Sequence, residues 1–204
     1  MSPVSIVVPA YNEEQGVLTT LGAIKAAMSL QSMEYEIILV DDGSTDDTAE
    51  AVERQAGVRL IRHHTNRGYG SALKTGIRQA AYEWIAIIDA DGTYPAEALP
   101  LLLAHLDEFD MVVGARPPGE ISAIRRPAKW FLSKLAQYLA ETKIPDLNSG
   151  MRVFRRDVAL SYFNILPSAF SFTITITIAF LSDHYLVKFV PIPFQGRAGR
   201  SKIK

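Results

Sequence analysis

Cysteine is absent from the 204 residues, which removes disulfides, thiolate metal ligands and cysteine nucleophiles together and fits a reducing compartment. Neither charge sign is in excess: 21 Lys and Arg stand against 22 Asp and Glu, a formal charge of −1. With no global positive field to draw in nucleic acid, an anionic ligand must be met by local basic clusters. The first nine residues lack a basic stretch followed by a long apolar run, so no signal peptide is read there. The uncharged run over residues 158–182 is long enough to raise a membrane span, but Asn164, Pro167 and a series of Ser and Thr argue against one. Internal repeats and low-complexity tracts are missing as well. What remains, 48% hydrophobic residues, suffices to bury one substantial core, and a single domain over residues 1–204 is expected.

Short apolar runs alternate with helical patterns. Residues 4–8, 35–40, 58–61, 84–89 and 110–114 read as buried strands, while Val17, Leu18, Leu21, Ile24 and Met28 recur at helical intervals between the first two. Such βαβ spacing predicts an α/β fold with a mostly parallel sheet and ligand sites at the carboxyl ends of its strands. Residues 41–48 and 66–70 read as functional βα loops, the second opening a helix over about 71–82. Beyond Gly114 the alternation fails: Pro117, Pro118 and Gly119 break the chain, and a basic amphipathic stretch follows over 124–142. Residues 1–115 are therefore read as one functional half and 116–204 as a second half that handles a different ligand. The alternating Thr and Ile of residues 171–180 predict a strand, and 195–204 form a basic, glycine-containing tail or loop.

Asp89-Ala90-Asp91, directly after an apolar strand, puts two carboxylates at a strand's carboxyl end. A hard cation such as Mg²⁺ or Mn²⁺ takes oxygen ligands and keeps positions for substrate phosphates. The competing account is a turn with Asp caps, since Pro95 begins the next helix. Two further strand ends converge with this one, at Val7 to Glu14 and at Val40 to Asp46. Asp42 can accept a hydrogen bond from a nucleobase N–H, and Tyr11 can offer a ring face or a hydroxyl near base or ribose. Helix capping remains the alternative for Asp41, Ser44 and Asp46.

PAYNEE at 9–14, VDDGSTDDT at 40–48, NRGYGSALKTG at 66–76 and DADGTYP at 89–95 resemble the family 2 glycosyltransferases, over nearly the whole chain. The resemblance implies the GT-A nucleotide-diphospho-sugar transferase fold and a divalent metal at Asp89 and Asp91. It places Pro9, Ala10, Tyr11, Glu13, Asp42, Lys74 and Ala90 with those two aspartates around the nucleotide-sugar, joined by Arg197 and Lys202 from the tail. DLNSGMRVFRRD at 146–157, FSFT at 170–173 and GRAGRSKI at 196–203 are similar to the polyprenyl-phosphate branch, which includes dolichol-phosphate mannose synthase.

That branch implies a polyprenyl-phosphate acceptor, with Lys129 and Ser133, one helical turn apart, at the lipid phosphate. Lys129 stands where the branch has arginine, and a solvated amphipathic face is the competing reading. The mixture of Arg125, Arg126, Lys129, Trp130, Phe131 and Leu132 suits a helix resting on the cytoplasmic face of a membrane; packing against the sheet would explain its apolar side equally. Arg116 and the tail are implied as clamps for donor diphosphate or acceptor phosphate, with exposed surface charge as the alternative, especially for Arg200.

Gly92-Thr93-Tyr94 replaces the Leu-Gln-His common in mannose-transferring relatives, so the sugar stays open between mannose, glucose, N-acetylglucosamine or another, and the base between guanine and uracil. A dinucleotide fingerprint fails at Leu73, a phosphate-binding P-loop fails for want of a glycine before Lys74, and the adjacent His63 and His64 read as capping a strand end. No Gln-x-x-Arg-Trp sequence of a processive polysaccharide synthase is present. The expected activity is inverting transfer to a polyprenyl phosphate; a saccharide or protein acceptor, or a nucleotide-sugar-binding module without turnover, are the alternatives. Relatives in the branch often continue into membrane helices, so a catalytic-domain fragment is also expected.

Overall fold

The computed structural model describes residues 2–117 and 144–193. Within them, β1 (Val4–Ala10), α1 (Val17–Ser29), β2 (Tyr35–Asp41), α2 (Thr48–Glu53), β3 (Val58–Arg62), α3 (Tyr69–Gln79) and β4 (Trp84–Ile87) form the first βαβ series. A 3-10 turn (Ala96–Ala98), α4 (Leu99–Leu103) and β5 (Met111–Ala115) follow, then β6 (Arg152–Arg155), α5 (Arg156–Ser161), α6 (Phe172–Ser182) and β7 (Val187–Pro191).

The seven strands make one sheet in the order β3-β2-β1-β4-β6-β5-β7, parallel except for β6, which runs antiparallel to both β4 and β5. Two of its strands, β6 and β7, come from beyond residue 144. Every residue of β1 is buried, as a strand covered on both faces requires. The period of two sorts its side chains: Val4, Ile6 and Val8 pack with α1 and α4, whereas Val7 packs with α3 and α6. β2 repeats the pattern, with Ile37 and Leu39 on the first face and Ile38 and Val40 on the second.

From β1 the chain winds outward to β2 and β3 and then returns to place β4 on the other side of β1. That reversal opens a crevice beyond the carboxyl ends of β1, β2 and β4, where ligands bind in open α/β sheets.

Residues 171–180, expected as a strand, form helix α6 instead. At helical spacing Phe172, Thr173, Ile176, Thr177 and Phe180 make one buried face. Two hydroxyls turn back onto the helix, Thr175 to the Ser171 carbonyl (2.9 Å) and Thr177 to the Thr173 carbonyl (2.8 Å). Burial against the sheet outweighs the β preference of the Thr-Ile alternation. The uncharged run is divided between α5, a loop and α6, and among the described residues no helix is long and apolar enough to cross a membrane. The basic stretch 124–142, with Lys129 and Ser133, and the tail carrying Arg197, Arg200 and Lys202 lie outside the described residues.

Candidate active site

The loops after β1 and β2 are braced across each other. Asn12, at φ 55°, donates its amide to Ser44 Oγ (2.9 Å) and accepts the Thr45 amide on its side chain (2.8 Å). The Glu13 amide donates to Thr48 Oγ1 (2.8 Å). Asp41 accepts the Ser44 amide and Asp46 the Thr48 amide, both at 3.1 Å, but the N-cap of α2 is Asp47, which makes no side-chain cap hydrogen bond, so Asp41, Ser44 and Asp46 stiffen the loop rather than cap the helix.

Above these strand ends lies an open cleft of about 320 Å³. Pro9, Ala10, Tyr11 and Glu13 line it from β1, Asp42 from β2, and Asp89, Ala90 and Asp91 from β4. Asn66, Gly68, Tyr69 and Ala72 close one wall, and Phe170 reaches in from the segment before α6. Lys74, expected with the donor, does not line the cleft: its ammonium bonds the Phe163 (3.1 Å) and Leu166 carbonyls. From the second turn of α3 its charge ties that helix to the segment that carries Phe170.

At the β2 end, the buried Asp42 accepts from His63 Nδ1 (2.6 Å) and the Arg67 amide (3.0 Å) on Oδ1, and from the Gly68 amide (2.8 Å) on Oδ2. His63 therefore does more than end a strand. Gly68 sits at φ 95°, and a Cβ there would lie 2.5 Å from the Ser168 carbonyl, so only glycine lets the loop run this close to the second part of the chain.

At the β4 end, the Tyr69 hydroxyl donates to Asp89 Oδ1 (2.8 Å), with the Tyr69 ring stacked on Phe170 at 5.0 Å. The other oxygen of Asp89 rests on Gly150, where any Cβ would collide with it. Burial and then the neighbouring Asp91 charge push the Asp89 carboxyl up to about 6, against the Tyr69 hydrogen bond and the Arg116 and Arg152 charges. Asp91 Oδ1 accepts both the amide (3.1 Å) and the hydroxyl (2.6 Å) of Thr93. Thr93 therefore acts on the second carboxylate itself, as a turn residue that aims it, with Gly92 at φ 73° inside the turn.

Two carboxylates facing one cleft, with the Asp91 charge raising the cost of ionising Asp89, are a donor set suited to a hard divalent cation. Among the described residues no group of three or more His, Asp or Glu side chains converges to hold a metal, so any divalent cation held by Asp89 and Asp91 would need further oxygen ligands from outside these side chains.

Arg116, expected to clamp phosphate, is forked onto Asp146, with Nε at 2.6 Å and Nη2 at 2.8 Å. Burial alone would raise the Asp146 carboxyl, but the Arg116 hydrogen bonds and charge together hold it below the usual range. The sequence reading missed Arg152, which is fully buried yet surrounded by neutral oxygens: the Thr173 carbonyl (2.8 Å), Thr177 Oγ1 (2.6 Å) and the Ser149 carbonyl (2.5 Å). It fastens the 147–150 turn to α6. Tyr94 completes the support by accepting the Gly150 amide (2.7 Å), its own hydroxyl pushed up to about 12 by burial and the Asp89 charge. The sequence signals for these two residues are NSGMR at 148–152 and the tyrosine of DADGTYP, neither of which discloses its distant partners.

The family model described as Glycosyl transferase family 2 matches residues 5–163, spanning the strand ends and loops that build the cleft. The chain belongs to this family. Among family members, it is 34% identical to the undecaprenyl-phosphate 4-deoxy-4-formamido-L-arabinose transferase of Klebsiella pneumoniae over 162 residues, 76% of this chain and 49% of the relative. The enzyme of the same name from Yersinia enterocolitica is also 34% identical, over 161 residues and the same shares of both chains. The chain thus spans about half the length of the curated relatives it matches. Its fold is shared with glucosyl-3-phosphoglycerate synthase from Mycobacterium tuberculosis, solved with uridine diphosphate, at a TM-score of 0.79 and 20% identity over 98% of this chain and 74% of that one. The same enzyme solved with Mn²⁺, UDP-glucose and phosphoglyceric acid gives 0.77 at 20% identity, covering 98% and 73%. The GT-A architecture expected from the sequence is the architecture observed.

Proposed function

We propose that this chain is an inverting glycosyltransferase domain that moves a sugar from a nucleotide-diphospho-sugar to a polyprenyl phosphate, with Mg²⁺ or Mn²⁺ as cofactor. The observation that carries the donor side is the convergence of Tyr11, Asp42, Asp89 and Asp91 on one cleft at the sheet's reversal point. The acceptor side rests on relatives named for an undecaprenyl-phosphate substrate.

In this reading Asp42 receives one base N–H, the β1 end flanks base and ribose, and Asp89 and Asp91 face the diphosphate. Asp89 and Asp91 would hold the cation, whose chemistry there would be to neutralise the departing nucleotide diphosphate. A polyprenyl phosphate has a second pKa of roughly 6, so it reaches the site already anionic at neutral pH and needs no strong general base. The protein's contribution is to hold phosphate and sugar C1 in line and to keep the carboxylates fixed while charge moves. Displacement from the face opposite the leaving group inverts the anomeric centre. Arg116, locked to Asp146, acts on the charge balance around Asp89. Lys129 and Ser133 remain the proposed acceptor-phosphate pair, with Arg197 and Lys202 as the proposed tail contribution to the donor and the basic stretch 124–142 as the membrane-facing surface, on the cytoplasmic side.

The sugar is a hexose such as mannose or glucose in the first instance, while the names of the relatives add 4-deoxy-4-formamido-L-arabinose to the candidates. The test is sugar transfer from GDP- and UDP-linked donors to a short polyprenyl phosphate with and without Mn²⁺, donor hydrolysis being followed separately. Lipid-linked product from one donor is the expected result. Donor hydrolysis without transfer would redirect the acceptor towards a saccharide or protein, and neither reaction would leave a binding module.

A further inference from the structure

We infer that His63 is a positioning residue for nucleobase recognition, acting through Asp42; the inference rests on the donor-site reading above. The carboxylate of Asp42 offers about four lone-pair sites, and among the described residues His63 Nδ1, the Arg67 amide and the Gly68 amide take three. The remaining site, on Oδ2, belongs to a residue that lines the cleft. One acceptor and no donor is the pattern that meets a single ring N–H of a base, so the wall recognises base identity only as long as the other three lone pairs stay occupied.

His63 secures that condition. Its amide donates to the Asp41 carbonyl (2.9 Å), which extends the β2–β3 ladder by one residue and delivers the imidazole behind Asp42. The side chain is only 5% exposed. Facing a carboxylate at 2.6 Å, Nδ1 carries the proton. Nε2 lies 2.9 Å from Thr75 Oγ1 on α3, and the hydroxyl satisfies the ring in either protonation state, as donor to a neutral imidazole or as acceptor from a charged one. One buried ring therefore joins the ends of β2 and β3 to α3. The same carboxylate, held by that ring, gathers the amides of the 66–68 loop whose Asn66 and Gly68 form the adjoining cleft wall.

Calorimetric titration of the whole chain with UDP, GDP and inorganic diphosphate, each with Mn²⁺, tests this. The wild-type protein should bind one nucleotide more tightly than diphosphate. His63→Ala should weaken that nucleotide by about tenfold and leave diphosphate within about twofold, since a hydrogen bond to a charged partner is lost at the base end only. His63→Asn keeps an N–H near the Nδ1 position and should recover most of the affinity, and Thr75→Val, with the ring present but unanchored, should fall between. Equal loss of nucleotide and diphosphate in a folded His63→Ala protein would reduce His63 to a structural residue and overturn the inference. So would unchanged nucleotide binding. A wild-type protein that binds none of the three would overturn the donor-site reading itself, and this inference with it.

Discussion

At the β2 end of the cleft Asp42 is wrapped by three N–H donors, whereas at the β4 end Asp89 receives one hydroxyl, from Tyr69, and faces a second carboxylate. The first arrangement stabilises its negative charge from within the protein and leaves one lone pair for a ligand. The second stays costly to ionise through burial and the Asp91 charge even with the Arg116 and Arg152 charges nearby, and a cation entering the cleft would relieve it. Sequence position alone makes the two aspartates look alike, each ending an apolar strand; their neighbours suit one to accepting a hydrogen bond and the other to the cation proposed above.

The comparison breaks most sharply at Asp91. Alanine there should reduce transfer by about 10³-fold, the scale on which loss of an electrostatic contributor is felt, as measured by nucleotide release across a Mn²⁺ titration. Retention of more than a tenth of wild-type activity would sink the metal assignment. Gly150→Ala reaches the same end without touching an acidic group: the new methyl displaces the Asp89 carboxylate, and transfer should fall by about 10²-fold in a protein whose circular dichroism is unchanged.

Amide substitutions separate the two ends by the sign of their effect on stability. Asp42→Asn turns an amide group towards amide donors and should cost on the order of 2 kcal/mol in urea unfolding. Asp89→Asn should instead stabilise the metal-free protein at pH 7, by on the order of 1 to 2 kcal/mol, while abolishing transfer. The sign follows from the rise of Asp89 from 3.8 to about 6 by burial and the Asp91 charge. Above pH 6 both folded and unfolded forms are ionised and the folded form bears the cost; between about 6 and 4 the folded form takes up a proton first, so this group's contribution to stability grows as pH falls through that window. Loss of the difference between wild type and Asp89→Asn at pH 4 is the expected check. Smallest is Tyr69→Phe, which keeps the stack on Phe170 and removes one hydrogen bond: about tenfold in transfer, seen in kcat under saturating Mn²⁺.

The strands, the first two functional loops and the carboxylates were legible because each lies within a few residues of a periodic apolar run, where local pattern and tertiary environment agree. What escaped was long-range. His63 is assigned by Asp42, 21 residues back, and Tyr69 by Asp89, 20 residues on. Lys74 finds its carbonyls 89 and 92 residues later, so a lysine beside glycines told nothing of its destination. α6 failed for the complementary reason: Thr and Ile in alternation carry β preference, and only the buried face formed with Arg152 makes the helix the better solution.

The meeting of the 68–71 and 163–170 segments limits how this chain can be recombined. Ser71 donates its amide to the Ser168 carbonyl (3.2 Å), Gly68 must lack a side chain for the same oxygen, and Lys74 holds two carbonyls beyond it. A chimera that grafts a foreign segment after residue 144 would inherit a 66–74 segment shaped to the old one. Exchanging the later part of this scaffold therefore calls for transplanting residues 66–74 along with 144–193, as a single heritable block drawn from two distant stretches of the chain.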